Sequence, residues 1–430
     1  MVMRGTAGTL VGLVAFAALA LGGCGATLQP ASQPAHPRAG APASQPKPEV
    51  TTLVMEPIQV VARMKDGKRE YEVFDAAGLF EQAGAHLQAR RFEQAIATYD
   101  RLVREFPDSR YLVPSLYNSG LAYEARRDWA GAVARFKTVA DRAKSPRDVI
   151  DALFHLGACY SEAENQAASA EVFSRLLERA DLPPADRVEA MVRRGYAQYQ
   201  LKDVAAAERT FRETIGFYRK ADQEQRLDAD FFLAMAHYYL AEIPHEQFRG
   251  QPIRLPEKQM ERDLEHKAQL LLTSQGRYIA TINVKNPHWA SAAGFQVGAL
   301  YREFYDAVVG APIPHGDLRR RAKAAGVSYE EVLKAYVEQV RQYMRPLLEN
   351  AIKVHEKNVQ MAERTGVDNT WVKRSSEQLE ALKNLLAGKD AVTSPGPPRP
   401  AATQPASPPP KPGDAPTRKP KRDYYPRVTL

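Results

Sequence analysis

The chain has 430 residues, a formal net charge of +8 and only two cysteines. This length is sufficient for about two or three domains. Residues 391–430 hold seven Lys/Arg and two Asp, a net charge of +5, so the rest of the chain is close to neutral. The basic balance therefore gives no indication of nucleic-acid binding.

The first predicted element is an export signal. Arg4 is the only charged residue before Cys24, and the stretch from Thr9 to Leu21 is almost entirely apolar or small. A basic start, an apolar segment and small residues at its end are typical of a secretory signal peptide. The apolar segment is shorter than the roughly 20 residues that a membrane-spanning helix needs. We therefore predict that residues 1–23 are a signal peptide.

The sequence LGGC, which ends at Cys24, resembles the lipobox of bacterial lipoproteins. The resemblance implies that Cys24 is lipidated, with acyl chains such as palmitate, and is the first residue of the mature chain. Gly25 follows instead of Asp, which by resemblance to the enteric sorting pattern implies an outer-membrane location with the body in the periplasm. The alternative is an ordinary signal peptide with an incidental cysteine. If Cys24 is lipidated, Cys159 has no partner for an intramolecular disulfide.

Two short segments precede the helical part of the chain. Residues 24–57 are rich in Pro, Ala and Gln, which predicts an extended tether. Residues 58–75 have β-branched and apolar residues on both sides of Asp66-Gly67, which predicts a β-hairpin. Because a lone hairpin is only marginally stable, we expect it to dock on the helices that follow.

From Ala76 the hydrophobic period becomes helical, and the chain repeats itself. In each unit a small residue is followed twelve positions later by another small residue and sixteen positions later by an aromatic one. These triplets are Ala83, Ala95, Tyr99; Gly120, Ala132, Phe136; Gly157, Ser169, Phe173; and Gly195, Ala207, Phe211. The pattern resembles the tetratricopeptide repeat, a helix pair of roughly 34 residues. The resemblance implies an all-α superhelical solenoid with four repeats over 76–224; the alternative is unrelated helices with alanine-rich faces.

Residues 225–388 predict an irregular helical continuation of these repeats. The stretch 228–240 begins like another first helix, but three prolines in 241–258 predict a loop in place of the second helix. Helical patterns follow at 257–285, 288–314, about 328–365 and 369–387, with Gly366 as a C-cap and Asn369 as an N-cap. Residues 389–430 are basic and Pro-rich, which predicts a disordered tail. The sequence leaves open whether 225–388 extends the superhelix or forms a separate domain.

Short motifs in this second half carry a further resemblance. They are Leu300-Tyr301, APIP (311–314), PLLENAI (346–352) and Asn369-Thr370-Trp371. They are similar to C-terminal segments of repeat lipoproteins from the envelopes of myxobacteria and their relatives, some of which act in gliding-motility machinery. The resemblance implies a scaffold or adaptor in an envelope complex.

No sequence motif indicates catalysis or a cofactor. The chain has no HExxH, CxxC, GxSxG or glycine-rich phosphate loop. His237 and His245 have no third ligand nearby, and Cys159, close to Gly157, is predicted to be a buried, inert thiol. We therefore expect a non-enzymatic protein that needs no metal and no cofactor.

The repeat resemblance also implies a partner-binding face. The first helix of each repeat lines the concave side of the superhelix, and positions on it that face the groove are aromatic in this chain. These residues are Phe80, Tyr117, Phe154, Tyr196, Tyr199, Phe231 and Tyr238. Aromatic anchors in a groove can hold a peptide. The alternative is that these rings only pack neighbouring helices together.

The expected partners are envelope proteins on the concave face and a membrane through the lipid on Cys24, with no nucleic acid. The basic tail could contact an anionic lipid surface, peptidoglycan or an acidic protein. Two other functions fit the sequence. One is an assembly factor for outer-membrane proteins, similar to the repeat lipoprotein of the β-barrel assembly complex, and the other is an activator of a peptidoglycan enzyme.

Overall fold

The computed structural model describes residues 58–66 and 68–387, and every structural statement below refers to these residues. The predicted signal peptide (1–23), lipidation site Cys24, tether (24–57) and tail (389–430) lie outside them. The described chain contains a two-stranded sheet and fourteen helices: β1 (Ile58–Lys65), β2 (Lys68–Asp75), α1 (Ala76–Gln88), α2 (Phe92–Glu105), α3 (Leu112–Ala125), α4 (Trp129–Arg142), α5 (Pro146–Glu162), α6 (Gln166–Leu177), α7 (Pro184–Gln200), α8 (Val204–Glu224), α9 (Asp230–Gly250), α10 (Glu257–Asn283), α11 (Pro287–Val309), α12 (His315–Ala325), α13 (Tyr329–Thr365) and α14 (Thr370–Leu386).

The two strands form an antiparallel hairpin over the predicted residues, and this hairpin docks on α2. The Phe74 ring packs edge-on against Phe106, with ring centroids 6.1 Å apart. The Arg101 guanidinium lies over the same ring, 3.7 Å from its centroid. Gln59 Nε2 also donates a hydrogen bond of 3.1 Å to the carbonyl oxygen of Glu105. These contacts supply the docking that an isolated hairpin requires.

Three of the four helix pairs α1/α2, α3/α4, α5/α6 and α7/α8 share one close contact between their helices. In three pairs a glycine on the first helix receives the aromatic ring of the second helix: Gly120 with Phe136, Gly157 with Phe173, and Gly195 with Phe211. A Cβ at position 157 would lie 2.7 Å from the Phe173 ring, closer than real side chains approach. Glycine is therefore required for the two helices to come this close. The repeat interpretation of the sequence is confirmed.

The turn inside each pair also repeats, which sequence reasoning did not identify. Each turn places one residue in the left-handed region, with φ between 56° and 64°: Arg90, Arg127, Glu164 and Lys202. In three turns the next residue is an N-cap. Its side chain accepts a hydrogen bond from a backbone N–H group in the first turn of the second helix: Asp128, Asn165 and Asp203. A capping side chain satisfies an N–H group that the helix itself leaves free. The second helix of each of these pairs thus starts at a fixed point.

The predicted proline loop after residue 240 is wrong. α9 continues through Pro244 to Gly250, and the segment without helix is limited to residues 251–256. Proline removes a helical hydrogen bond, but Arg277 of α10 donates to the carbonyl that Pro244 leaves without a donor. α9 and α10 consequently form a long fifth helix pair.

Glycines also allow a close contact between α11 and α13, but here the side chains that fill the space are polar. His355 of α13 fills the space beside Gly298 of α11, and Asn358 fills the space beside Gly294. Asn358 Nδ2 donates to the carbonyl oxygen of Ser291 at 2.9 Å. The predicted helix boundaries near Gly366 are confirmed, because this residue ends α13 in the left-handed conformation. The predicted N-cap is also confirmed, because the Asn369 side chain accepts hydrogen bonds from two backbone N–H groups in the first turn of α14.

The second half of the protein shares its hydrophobic core with the repeats. One cluster of buried residues runs from Val192 in α7 to Trp371 in α14 and includes residues of α8, α9, α10 and α11. α9 packs directly on α7 and α8 of the fourth repeat, and the later helices pack on α9 and on one another, so residues 225–387 do not form a separate domain.

Candidate partner-binding site

The aromatic residues predicted to line a groove lie between helices. Six of them are 5% exposed or less: Phe80, Tyr117, Phe154, Tyr196, Tyr199 and Tyr238. The seventh, Phe231, is half-buried and packs on Trp289, with ring centroids 5.4 Å apart. Burial at these positions favours the packing alternative, and the role of these rings as anchors for a partner stays a prediction.

Contacts between successive repeats explain this burial. The Tyr117 ring of α3 packs edge-on against His155 of α5, with centroids 5.5 Å apart. Tyr196 and Tyr199 of α7 both lie 5.2 Å from the Tyr239 ring of α9. Each ring thus bridges the first helix of one repeat to the first helix of the next. Such rings stabilise the stack through burial and edge-to-face geometry.

A half-buried polar cluster lies beside these rings, between α3 and α5. The carboxylate of Glu124 lies 3.0 Å from His155 Nδ1, and it accepts a hydrogen bond of 3.1 Å from Cys159 Sγ. Burial, and then the charge of Glu124, raise the pKa of the Cys159 thiol well above its usual range. These effects favour the protonated thiol, and the predicted burial of Cys159 is confirmed. Sequence reasoning missed Glu124 and His155, because their pairing joins two different repeats.

A larger polar cluster lies in α9, α10 and α11. His245 is fully buried, with Nδ1 2.9 Å from the Tyr278 hydroxyl and Nε2 3.1 Å from Glu303. Arg249 pairs with Glu303 at 3.1 Å, and Tyr278 donates to Glu242. Burial alone would raise the pKa of Glu303, but the hydrogen bond and charge of His245, and then those of Arg249, lower it to about 2. The members of this cluster satisfy one another and hold the three helices together.

The histidines do not form a metal site with their neighbours. His237 is half-buried on α9, whereas His245, on the same helix, is enclosed by Tyr278 and Glu303. Over the described ranges, no group of three or more His, Cys, Asp or Glu side chains is placed to hold a metal ion. In the same part of the chain, no helix has both the length and the apolar character needed to span a bilayer.

Accessible positions remain on the first helices of repeats two and three. Leu121 and Glu124 of α3 and Ala158 and Ser161 of α5 are half-buried, so solvent reaches them. They occupy late positions of the first helix, which the repeat resemblance places toward the concave face. These four residues, together with His155, are the candidate partner-binding site.

The hairpin presents a second accessible surface, which is apolar. Ile58, Val60, Met64, Tyr71 and Val73 are each between 56% and 68% exposed. Alternation along a strand places the three β1 residues on one face, and Val60 lies opposite Val73 in the register. No described residue covers this face, and exposed apolar patches often mark contact surfaces.

Comparison with known proteins identifies the repeats. The tetratricopeptide-repeat profile matches residues 68–110, 117–184 and 162–224. The helices within these ranges form tetratricopeptide repeats. Such repeats present binding surfaces for other proteins, and they indicate a scaffold for protein–protein interactions. No curated protein matches the chain.

Several solved structures are similar to parts of this chain. A tetratricopeptide repeat protein from Parabacteroides merdae is 14% identical, over 72% of this chain and 99% of that one, with a TM-score of 0.33. The C-terminal part of a repeat-containing protein from Cytophaga hutchinsonii is 10% identical, over 70% and 95% of the two chains, with a TM-score of 0.36. Scores of this size do not establish a common arrangement of the repeats.

Proposed function

We propose that this protein is a lipid-anchored scaffold that binds partner proteins in a bacterial envelope complex, with a gliding-motility machine as the leading example. Residues 1–23 direct export, lipid on Cys24 holds the chain at the outer membrane, and the repeats meet their partner in the periplasm. The basic tail at 389–430 reaches an anionic lipid surface, peptidoglycan or an acidic protein. The function is binding and not catalysis.

One observation carries the proposal. Four helix pairs stack in register, and glycine-to-ring contacts fix the close approach in three of them. A stack of this kind holds residues of successive repeats at constant spacing, which suits a rigid binding surface. The half-buried site around Glu124 and His155 lies on this stack, at the contact between repeats two and three.

Photo-crosslinking in intact cells tests the binding face. A photo-reactive residue at Ser161 is expected to capture one envelope protein. Lys137, an exposed residue on the second helix of repeat two, is the matched control and is expected to capture none. Capture at Lys137 with none at Ser161 would contradict the assignment of the face. The identity of the adduct separates the candidates: a motility component supports the proposal, whereas a barrel-assembly protein or a peptidoglycan synthase supports one of the alternatives.

The lipid anchor and the tail have separate tests. Cys24→Ser is expected to abolish labelling by radioactive palmitate and to move the protein out of the outer-membrane fraction. Continued membrane recovery of this variant would show that the anchor lies elsewhere. Deletion of residues 393–430 is expected to reduce recovery of partners or of peptidoglycan; unchanged recovery would make the tail a spacer only.

A further inference from the structure

An open hollow of about 350 Å³ lies on the surface formed by α8, α9 and α10. α8 and α10 both pack against α9, and the hollow opens between them beside His237. Its lining includes Arg212 and Arg219 from α8, Arg277 from α10 and the backbone at Gly216. It lies apart from the candidate site on α3 and α5 described above.

The hollow lies between two long helices, one of which carries a glycine in the lining. α8 has 21 residues, whereas the second helices of the first three repeats have 14, 14 and 12. α10 has 27 residues. Gly216 in α8 lines the hollow and has open space where a side chain would stand. Unlike the repeat glycines, it receives no aromatic ring, so the space stays free for a ligand.

The charges around the hollow do not balance within the protein. The Glu208 carboxylate accepts a hydrogen bond of 2.7 Å from Arg212 and one of 3.1 Å from Arg277, so one carboxylate pairs with two guanidinium groups. Arg219 has no carboxylate partner among the described residues. Three arginines and one glutamate leave a net charge of +2 at the rim. A hollow of one charge sign attracts ligands of the opposite sign.

Two neighbouring groups limit this charge. Burial, and then the charge of Arg219, lower the pKa of His237, so this imidazole is neutral near pH 7 and adds no further charge. Asp222 lines an adjoining hollow that also contains Arg219 and His237. One oxygen of its carboxylate accepts the backbone N–H of Leu227, at 2.8 Å, and the negative charge of this carboxylate lowers the net charge of the region from +2 to +1. The guanidinium of Arg219, and the N–H groups of Arg277 that Glu208 and Leu240 do not use, remain available to an incoming anion.

We infer that this hollow binds an acidic side chain of a partner protein, with the carboxylate held by Arg219 and Arg277 beside His237. Guanidinium groups match a carboxylate with paired, charge-assisted hydrogen bonds. Ile215, Leu240 and Ala280 complete the lining, and they suit the methylene groups of a glutamate or an apolar neighbour. We call this set of residues the arginine hollow.

The apolar part of the lining favours a peptide over a small free anion. Ile215 of α8 and Leu240 of α9 lie in the hollow with the arginines, and an inorganic anion has no apolar group to contact them. A segment that combined acidic and apolar residues could contact both these side chains and the arginines. The tail of this chain is unsuitable, because residues 391–430 carry a net charge of +5. The occupant is thus a segment of another protein.

Fluorescence anisotropy with purified protein tests the inference. The probe is a rhodamine-labelled decapeptide in which glutamate alternates with leucine, and its control has glutamine in place of glutamate. We expect the glutamate peptide to bind and the glutamine peptide to bind at least about tenfold more weakly, which corresponds to the loss of one charge-assisted hydrogen bond. Binding should weaken as salt is added. Failure of the glutamate peptide to bind would overturn the inference.

Three variants locate the binding. Arg219→Glu and Gly216→Leu should each weaken binding by about tenfold, the first by charge reversal and the second by filling the hollow. Neither residue makes a contact that the fold requires, and circular dichroism verifies that each variant folds. Arg209→Glu is the matched control, since Arg209 is exposed on the same helix but does not line the hollow. An equal loss for Arg209→Glu and Arg219→Glu would show general surface attraction and would overturn the inference.

Inorganic phosphate distinguishes a peptide site from a small-anion site. If phosphate displaces the glutamate peptide only at concentrations far above the Kd of the peptide, the apolar surface contributes and the inference is supported. If phosphate binds the wild type as tightly as the peptide does, and loses binding in Arg219→Glu, the arginine hollow is a site for small oxyanions and the assignment to a partner protein is wrong.

Discussion

Arg277 Nη1 on α10 donates a hydrogen bond of 2.7 Å to the carbonyl oxygen of Leu240 on α9. In a regular helix that carbonyl accepts the N–H of the residue four positions later. Here that residue is Pro244, which has no N–H. The guanidinium replaces the missing donor, and α9 continues beyond the proline to Gly250.

This relationship predicts an energetic coupling between Arg277 and Pro244. Arg277→Leu should lower the free energy of unfolding by about 1–3 kcal/mol, because a buried carbonyl loses its partner. In a Pro244→Ala background the cost should be smaller by about 1 kcal/mol, since an alanine at this position supplies the backbone N–H itself. The ion pair of Arg277 with Glu208 is lost in both backgrounds and cancels. Urea denaturation measures the four proteins; equal costs in the two backgrounds would refute the coupling.

One physical reason explains why the repeats were predicted correctly and the loop after residue 240 was not. The repeats were predictable because small and aromatic residues at fixed spacing are visible within one short stretch of chain. The helix was wrongly predicted to end before Pro244, because the hydrogen bond that the proline cannot donate comes from Arg277. This residue lies on another helix, far along the chain. Local rules describe the helix interior correctly, but they contain no information on a donor supplied by tertiary packing.

The aromatic positions show a related limit. Sequence spacing predicted that Tyr117 and Phe154 occupy equivalent positions in successive repeats, and the structure places them on α3 and α5. Spacing alone could not tell a ring that faces a partner from one that faces the next repeat, because both lie on an apolar helix face. The decisive information is which helix covers the ring, and that depends on the angle between successive helix pairs.

Alanine substitution is expected to destabilise the protein at a glycine that contacts a ring and to stabilise it at a glycine that faces open space. Gly157→Ala should lower the free energy of unfolding by about 1–3 kcal/mol, because its Cβ would overlap the Phe173 ring. Gly276→Ala is the matched control: this position has open space, so alanine should stabilise α10 by about 0.5–1 kcal/mol. Thermal and urea unfolding measure both variants. A neutral Gly157→Ala would mean that the helices have room to separate.

Truncation of the buried rings is expected to affect stability before it affects binding. Tyr117→Ala should lower the free energy of unfolding by about 3–5 kcal/mol, because it leaves a cavity between α3, α4 and α5. Phe154→Ala should cost a similar amount. Tyr71→Ala is the matched control, since this tyrosine is 65% exposed on the hairpin. Its expected cost is within about 0.5 kcal/mol. If Tyr117→Ala unfolded at the wild-type urea concentration, the packing role of the ring would be refuted.

Docking of the hairpin is expected to depend on Phe74. Phe74→Ala removes the contact with Phe106 and the stacking of Arg101, each worth about 1 kcal/mol. Backbone amides of residues 58–75 should then exchange with deuterium faster, with no change in α5 or α6. Val73→Ala alters the neighbouring but exposed residue and should leave exchange unchanged. Similar acceleration in both variants would show that Phe74 is not the anchor.

His355 gives the protein a predicted loss of stability in mild acid. This side chain is buried beside Gly298, and burial lowers its pKa from 6.5 to about 4. The unfolded chain therefore binds a proton below pH 6.5, whereas the folded protein resists protonation until about pH 4. Since the unfolded state binds more protons in this window, stability must fall as the pH falls. The contribution is fully present above pH 6.5 and is lost progressively down to about pH 4.

A variant without this imidazole isolates the effect. Between about pH 7 and pH 4.5, His355 should account for a loss of about 2 kcal/mol in the free energy of unfolding. Glu303 also affects stability in acid, because its pKa is lowered from 4.5 to about 2 in the folded protein. Most of its contribution is lost below pH 4.5, outside the range measured for His355. His355→Gln should flatten the pH dependence by that amount, whatever its own stability at pH 7. Parallel curves for the wild type and His355→Gln would mean that water reaches the buried imidazole and that its pKa is close to the ordinary value.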